Sequence, residues 1–488
     1  MLKHKSSKHY REKRAIFKGL SNNIKEKSMK KFGAQNRRNF MKAAGVTALM
    51  SAAGSGSAMG MGMGQSRGSG KGYNFDDIYS RIGVNSVKWD SAIRRYGRDN
   101  ITVPMGIADL DFKQPPFVVS ALKKRAEYEN YGYETLPDSY YQAIIGWNKE
   151  RYGQEVKKEW IRNSSALKPG MISSMRGLNP VKGKVIIFTP TYSGFNGAIT
   201  KAGMTQVMSP MKKVNGRWKM DMEAFKERLD YETKCVILCN PNNPSGECWT
   251  ADELRELGDV CMEHGVTVLA DEIHCDFVNK GQKFVPYASI GEKYANSSIT
   301  YRSPSKTFGQ ANLKVAYFFT QNQDLMNATM IGGGHDAGCN SFGLIACETA
   351  FREGAQWVDD VQEYIDGNFD YLVEYVNKSG NMPGVEYSKP EGTYLAWLDC
   401  NGIIDKVITD EYRKSYHDKM RDAGRRHSGL TKEMAFGEWL VENSGVQLNA
   451  GSGYGIGAEG FMRMNIGVPR SSLEKALGHM NDALKKAM

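Results

Sequence analysis

Five short apolar runs constrain this chain more than anything else in it: 184–190 "KVIIFTP", 235–240 "CVILCN", 266–274 "VTVLADEIH", 297–302 "SSITYR" and 315–320 "VAYFFT". They are β-branched or aromatic, and their apolar residues are continuous rather than alternating. A strand of that kind is buried on both faces. Helical patterns separate the runs, so the expected fold is α/β, a mostly parallel sheet with helices on both sides. The helix between the second and third runs can be read closely. Thr250 and Glu253 form a T-x-x-E capping box, Leu254, Leu257, Val260 and Cys261 share one face, and His264-Gly265 supply the stop. Residues 355–378 predict one long helix, and 410–440, polar and basic, predict a pair of surface helices.

Ligands of parallel α/β sheets gather at the carboxyl ends of the strands. Those ends carry, in order, "TPTYSGF" (189–195), "CNPNNPSG" (239–246), "DEIHCDF" (271–277) and "SPSKTF" (303–308). The series offers an aromatic, an amide, a carboxylate, and a lysine flanked by hydroxyls. Each signal is weak alone, since Asn-Pro marks turns, aromatics fill cores and lysines sit in solvent. Together they are what pyridoxal phosphate requires. Lys306 would attach to its aldehyde, Asp271 would hold the ring nitrogen protonated, Asn243 would bond the ring oxygen, and Tyr192 would stack on the ring.

The net charge of +11 suggests a polyanion-binding protein until it is located. Residues 1–58 carry a balance of +12 and the remainder −1, so an extended nucleic-acid surface is not implied. The basic leader contains Arg37-Arg38, then Phe40 and a weakly apolar stretch rich in Ala and Gly, ending in Gly56-Ser57-Ala58. It resembles a twin-arginine export signal, which implies the export machinery as a partner and a periplasmic or exported location. The arginine pair stands far from Met1, so translation is expected to start at Met29. The eight cysteines show neither CxxC nor metal spacing and lie mostly in apolar runs, which predicts buried free thiols. Residues 59–72, "MGMGMGQSRGSGKG", form a linker by composition. The division that follows is a signal region (1–58), the linker (59–72), an N-terminal segment joining a small domain (73–115), a large cofactor-binding domain (116–365) and a small α+β domain (366–488).

Further motifs, "RIGVNSVKWD" (81–90), "IADLDF" (107–112), "GYETLPDSYYQAI" (132–144), "PEGTYLAWLDC" (390–400) and "FMRMNIGVPR" (461–470), join the strand tips in a resemblance. From Tyr73 onward the chain resembles the fold-type I, class I/II aminotransferase-like enzymes, and within them the cystathionine β-lyase (cysteine-S-conjugate β-lyase) branch. The resemblance implies the pyridoxal-phosphate-dependent transferase fold. Lys306 would also act as base at the substrate Cα, and Arg463 would grip the α-carboxylate. Gly170, Met171 and Ile172 would offer backbone N–H groups to the phosphate at a helix start, Ser303 and Ser305 their hydroxyls, and Lys314 a charge. His274 stands where many relatives have Tyr. Tyr133 matches a tyrosine that reaches into a neighbouring subunit's site, which implies a homodimer.

Departures from the branch fall at Gly106, Asn312 and Lys314. The leading expectation is a β-lyase that splits a small amino-acid substrate, a cysteine S-conjugate, into thiol, pyruvate and ammonia. An aminotransferase shares every residue up to removal of the Cα proton and stands as the alternative. A cofactor-binding regulator without turnover is the second, disfavoured by the intact Lys306–Asp271–Arg463 set and by the lack of a DNA-binding helix-turn-helix.

Overall fold

The computed structural model describes residues 72–178, 183–334, 339–378, 380–425 and 429–488. The leader, its arginine pair, Met29 and all but the last residue of the linker lie outside the described residues.

Seven strands form the central sheet: β1 (Ile161–Ser164), β2 (Lys184–Thr189), β3 (Thr205–Pro210), β4 (Thr233–Cys239), β5 (Thr267–Asp271), β6 (Ser298–Arg302) and β7 (Ala316–Phe319). Their order is β1-β7-β6-β5-β4-β2-β3. All neighbours run parallel except β7, which is antiparallel to both β6 and β1. The five apolar runs are the five central strands. The two edges, β1 and β3, are more polar and were not foreseen.

Alternate residues of each central strand feed separate cores. Ile186, Val236, Leu238, Val268 and Ala270 pack with Leu254, Leu257, Val260 and Cys261 of helix Ala251–Glu263. Val185, Ile187, Cys235, Ile237, Leu269 and Ile299 face helices Leu167–Leu178 and Gly194–Ala202. The first of these helices has its capping box in place, Thr250 Oγ1 accepting from Glu253 N and Glu253 returning to Thr250 N. Doubly covered strands explain why the runs are continuous in hydrophobicity.

The chain beyond the long helix Ala355–Asn377 builds a three-stranded antiparallel sheet, β8 (Leu395–Asp399), β9 (Asn449–Ala450) and β10 (Phe461–Asn465), ordered β8-β10-β9. The expected surface pair over 410–440 is only half right. Helix Asp410–Asp422 is largely exposed, but Lys432–Ser444 buries Ala435, Phe436, Trp439, Leu440 and Val441. Its polar appearance misleads because Glu438 is itself buried, bonded to Arg95 and Lys419. All eight cysteines are free thiols, seven of them buried. Among the described residues no helix is long and apolar enough to cross a membrane.

Candidate active site

Asp271 closes β5, and its register partner on β4 is Cys239. The next strand, β6, runs into Ser303, whose hydroxyl accepts from Ser305 N and caps the short helix Pro304–Thr307 that carries Lys306. Strand ends, not loop geometry, therefore set the spacing between carboxylate and amine. Lys306 Nζ donates to the carbonyl of Ala108 at 2.6 Å. Desolvation holds its ammonium down to about 8, opposed by Asp109 and Asp271 and aided by Arg463. The residue as a whole is half-buried.

Asp271 is 5% exposed and has no cation within ion-pair distance among the described residues. Burial pushes its carboxyl up to about 7, against the N–H of Ile273, which donates to Oδ1 at 3.1 Å, and the charge of Lys306. His274 is buried with its ring edge-on to Tyr394, 5.4 Å between centroids, and its Nδ1 has no partner. Burial, then Lys306 and Arg463, drive its pKa well below the ordinary value, so the imidazole is neutral. The Tyr192 hydroxyl is pushed upward by burial and by Asp271, while Arg463 opposes. These mutual influences place Lys306, Asp271, His274, Tyr192 and Arg463 around one space.

Arg463 enters from β10. Its Nη1 donates to Asn243 Oδ1 at 2.9 Å, its Nη2 to the Gly106 carbonyl at 2.6 Å, and its guanidinium lies 5.1 Å over the Tyr454 ring. Its Nε, also buried, has no partner. Asn243 is thus fixed by the arginine as well as by its own loop.

Other expected residues stand differently. Helix Leu167–Leu178 begins three residues before Gly170, because Leu167-Lys168-Pro169 makes an acceptable first turn, Pro169 lacking only an N–H. Gly170, Met171 and Ile172 therefore open the second turn rather than the helix start. A Cβ on Gly170 would meet the Phe318 ring at 3.1 Å, so glycine there lets the helix sit close on the sheet. Ser303 Oγ donates to the Val315 carbonyl at 2.7 Å and lies 2.6 Å from Ser305 Oγ, so the two hydroxyls are tied to the chain and to each other. Lys314 is exposed, in the left-handed conformation (φ 56°), with no ion pair among the described residues. Tyr133 is fully exposed on the segment before helix Asp138–Tyr152 and takes no part in its own chain's cleft.

Sequence reasoning missed the floor of the site, which is backbone. The loop 106–109 presents the carbonyls of Gly106 to Arg463 and of Ala108 to Lys306. It is held from behind by Asn465, whose Nδ2 donates to the carbonyls of Ile107 and Asp109 at 2.6 and 2.8 Å. Lys88, wholly buried, pairs with Asp111 at 2.8 Å and donates to the Asp109 carbonyl. Arg81 bridges Asp109 and Asp111 at 2.5 and 3.0 Å. The motifs at 81–90 and 107–112 are therefore a charged brace behind the lysine. At Gly106, one of the departures from the branch, a Cβ would come within 2.5 Å of Asn449 Oδ1. Gly194 likewise must be glycine, since a Cβ would strike the Tyr192 ring at 2.3 Å.

This arrangement defines a class: α/β proteins that hold a depressed lysine amine and an unpaired carboxylate at the carboxyl edge of a mostly parallel sheet. More particularly, the chain belongs to the aminotransferase class I and II family, whose model matches residues 100–480. Cystathionine beta-lyase PatB of Bacillus subtilis is 31% identical over 417 residues, spanning 84% of this chain and 100% of that protein. Among solved structures, cystalysin from Treponema denticola, which contains a pyridoxal 5'-phosphate cofactor, superposes with a TM-score of 0.75 at 26% identity, covering 86% of this chain and 100% of its own. The PLP-bound C-S lyase from Staphylococcus hominis gives a TM-score of 0.72 at 30% identity, covering 86% of this chain and 99% of its own.

Proposed function

We propose that this protein is a pyridoxal-phosphate-dependent carbon–sulfur β-lyase that converts cystathionine or another cysteine S-conjugate into a thiol, pyruvate and ammonia. The residues present fit the cofactor. Asp271 is a buried carboxylate lacking a cation, which a protonated pyridine nitrogen would supply, and His274 Nδ1 is a buried polar atom lacking a partner. Pyridoxal phosphate, when bound, supplies an aldehyde for an amine and an acceptor for the electron pair left at Cα.

The chain supplies the rest. Lys306 would hold the group and, with its pKa brought down to about 8 by burial, would serve as the base for the Cα proton. Asp271 would keep a proton on the ring nitrogen, an opposite-charge effect. Arg463 offers two parallel N–H groups to the α-carboxylate and so fixes which bond at Cα faces Lys306. Asn243 and His274 would hold the ring oxygen, and Tyr192 would cover the ring and exclude water. Ser303 and Ser305, at the start of the short helix that carries Lys306, would face the phosphate, and Lys314 from the following turn would add a charge; the second-turn N–H groups of Gly170, Met171 and Ile172 are taken up within their helix. The thiolate then leaves Cβ, and water completes the conversion to pyruvate and ammonia.

One observation carries this reading: adjacent strands end in a buried carboxylate without a counter-ion, Asp271, and in the turn that carries Lys306, whose amine burial holds down to about 8. Likeness to PatB and to the Staphylococcus hominis lyase supports cleavage of a C–S bond. Purified protein given L-cystathionine and no keto acid should release pyruvate and thiol continuously. A single burst that arrests and resumes on adding 2-oxoglutarate would replace the lyase by an aminotransferase.

Two features of the reading concern assembly and location. The fully exposed Tyr133, with Tyr128 and Tyr131 also exposed nearby, supports a homodimer in which Tyr133 enters the partner's cleft. The Arg37-Arg38 pair and the basic leader support twin-arginine export to the periplasm or beyond. Replacing both arginines by lysine should then retain the protein in the cytoplasm.

A further inference from the structure

Behind the cleft, on the far side of the loop that presents Asn243, lies a second buried carboxyl without a cation. Glu247 is 6% exposed, and no lysine or arginine comes within ion-pair distance of it among the described residues. Burial pushes it up to about 7 despite the hydroxyl of Ser245. A buried charge without a counter-ion does little for a fold that an apolar residue of similar size could not do. Its hydrogen bonds show where it acts.

Glu247 Oε2 accepts from Ser245 Oγ, and Oε1 accepts from the N–H of Trp218 at 3.3 Å. Ser245 Oγ in turn accepts from Asn242 Nδ2 at 2.6 Å. The same Nδ2 donates to the Pro190 carbonyl at 3.1 Å, while Thr191 Oγ1 reaches Asn242 Oδ1 at 3.4 Å. Main-chain bonds from Asn242 N to the Glu247 carbonyl (2.9 Å) and from Gly246 N to the Asn242 carbonyl (2.8 Å) close the loop on itself. The belt thus starts at Glu247, crosses the loop, and ends on the residues just before Tyr192. Asn243, which orients Arg463, is the next residue after Asn242.

We propose that Glu247 is a positioning residue that acts through Ser245 and Asn242 to set two walls of the cleft together, the Asn243 amide beside Arg463 and the β2 tip that carries Tyr192. The proposal rests on the reading that those three side chains face cofactor and substrate. Glu247 touches neither. Its deprotonated carboxylate is an acceptor only, which makes Ser245 a donor toward it and leaves the Ser245 oxygen to receive Asn242. Removing that acceptor lets the hydroxyl turn and frees the Asn242 amide from one side.

The test compares Glu247→Ala, Glu247→Gln and Ser245→Ala in the full-length protein. Readouts are KM and kcat for L-cystathionine, the dissociation constant for pyridoxal phosphate, the absorption spectrum of the bound cofactor, and thermal stability. Because Glu247 touches neither the base nor the reacting bond and acts on the walls that receive substrate, Glu247→Ala should raise KM about tenfold with a smaller change in kcat. It should also weaken cofactor binding and shift the spectrum. Glu247→Gln keeps an acceptor for Ser245 and should restore most of both. The Glu247→Ala/Ser245→Ala double variant should be no worse than either single one, as members of one network are not additive. Unchanged KM and cofactor binding in Glu247→Ala would overturn the proposal, as would additive effects or a loss confined to thermal stability. If the unsubstituted protein cleaves no C–S bond, the functional reading fails alone, because cofactor affinity and spectrum still report on the belt.

Discussion

Asp271 and Glu272 are neighbours at the end of β5, carry the same functional group, and are both buried, yet they are treated in opposite ways. Glu272 is saturated. Arg302 Nη2 and Nε donate to its Oε2 at 2.5 and 2.9 Å, and Tyr287 N donates to its Oε1 at 2.8 Å. Arg302 also bonds Asn148 and lies 4.4 Å over the Tyr152 ring. Burial opposes the Arg302 charge most strongly, but Glu272 together with Cys275, Tyr317 and Tyr152 raises its pKa overall. Asp271 has one backbone N–H and no counter-ion. A buried charge that belongs to the architecture arrives with its partner. Asp271, left alone in the cleft, is where a molecule from outside would complete the structure.

The most severe way to break the open side of this pair is to remove the amine across from it. Lys306→Ala should abolish turnover, the loss of the base alone being worth about 10²–10⁴ in rate. It should also remove the absorption of the attached cofactor, with the far-ultraviolet circular dichroism unchanged. A variant that still binds the cofactor covalently, trapped by borohydride, would show that a different lysine carries it.

The comparison itself is tested by paired substitutions with effects of opposite sign on stability. Glu272→Gln leaves Arg302 buried without a counter-ion and should lower stability by about 3–5 kcal/mol. Asp271 has its pKa raised from 3.8 to about 7, so its contribution to the fold is present below 3.8 and is lost as pH rises through about 7. Above neutrality, Asp271→Asn should therefore stabilise the apoprotein while weakening cofactor binding roughly 10- to 100-fold, the worth of a charge-assisted hydrogen bond. Equal destabilisation by the two would erase the distinction.

That distinction was only half legible in the sequence. The central strands show themselves as continuous apolar runs because two helical layers cover them. The edges do not: "IRNS" of β1 and "TQVMSP" of β3 meet neighbours on one side only and carry polar residues. Asp271, Asn243 and Lys306 could be named because their chemistry stands at strand ends, and Arg463, in mid-strand, only because the motif "FMRMNIGVPR" carries a family resemblance. The carbonyls of Gly106 and Ala108 could not, since every residue has a carbonyl and only the brace of Arg81, Lys88 and Asn465 decides which ones face the cleft. Nor does a sequence show that Glu272 is paired and Asp271 is not, because Arg302 reaches Glu272 from another strand.

The open site should also respond to pH in a way that the closed one does not. Lys306 lies below its ordinary 10.5, so the fold's preference for the neutral amine is fully met above 10.5 and is lost as pH falls through about 8. Attachment of pyridoxal phosphate to apoprotein needs that neutral amine. Its rate should climb with pH and level off above about 8, measured by stopped-flow absorbance. A midpoint near 10 would place Lys306 in water rather than in the cleft.

The smallest effect belongs to the residue farthest from burial. A charged contact to phosphate inside a protein is worth about 1.5–3 kcal/mol, but an exposed ion pair is worth only about 0.2–1 kcal/mol. Lys314 follows Asn312-Leu313 at the end of a short 3₁₀ turn and stands exposed in the left-handed conformation. Any contact it makes with the phosphate end is therefore shared with water and screened by salt. Lys314→Ala should weaken cofactor binding by no more than about fivefold at low ionic strength and by nothing measurable at high salt, read by fluorescence titration of apoprotein. A loss of tenfold or more that survives high salt would mean that Lys314 folds inward over the bound phosphate, and would place it with Asp271 among the charges completed by the ligand.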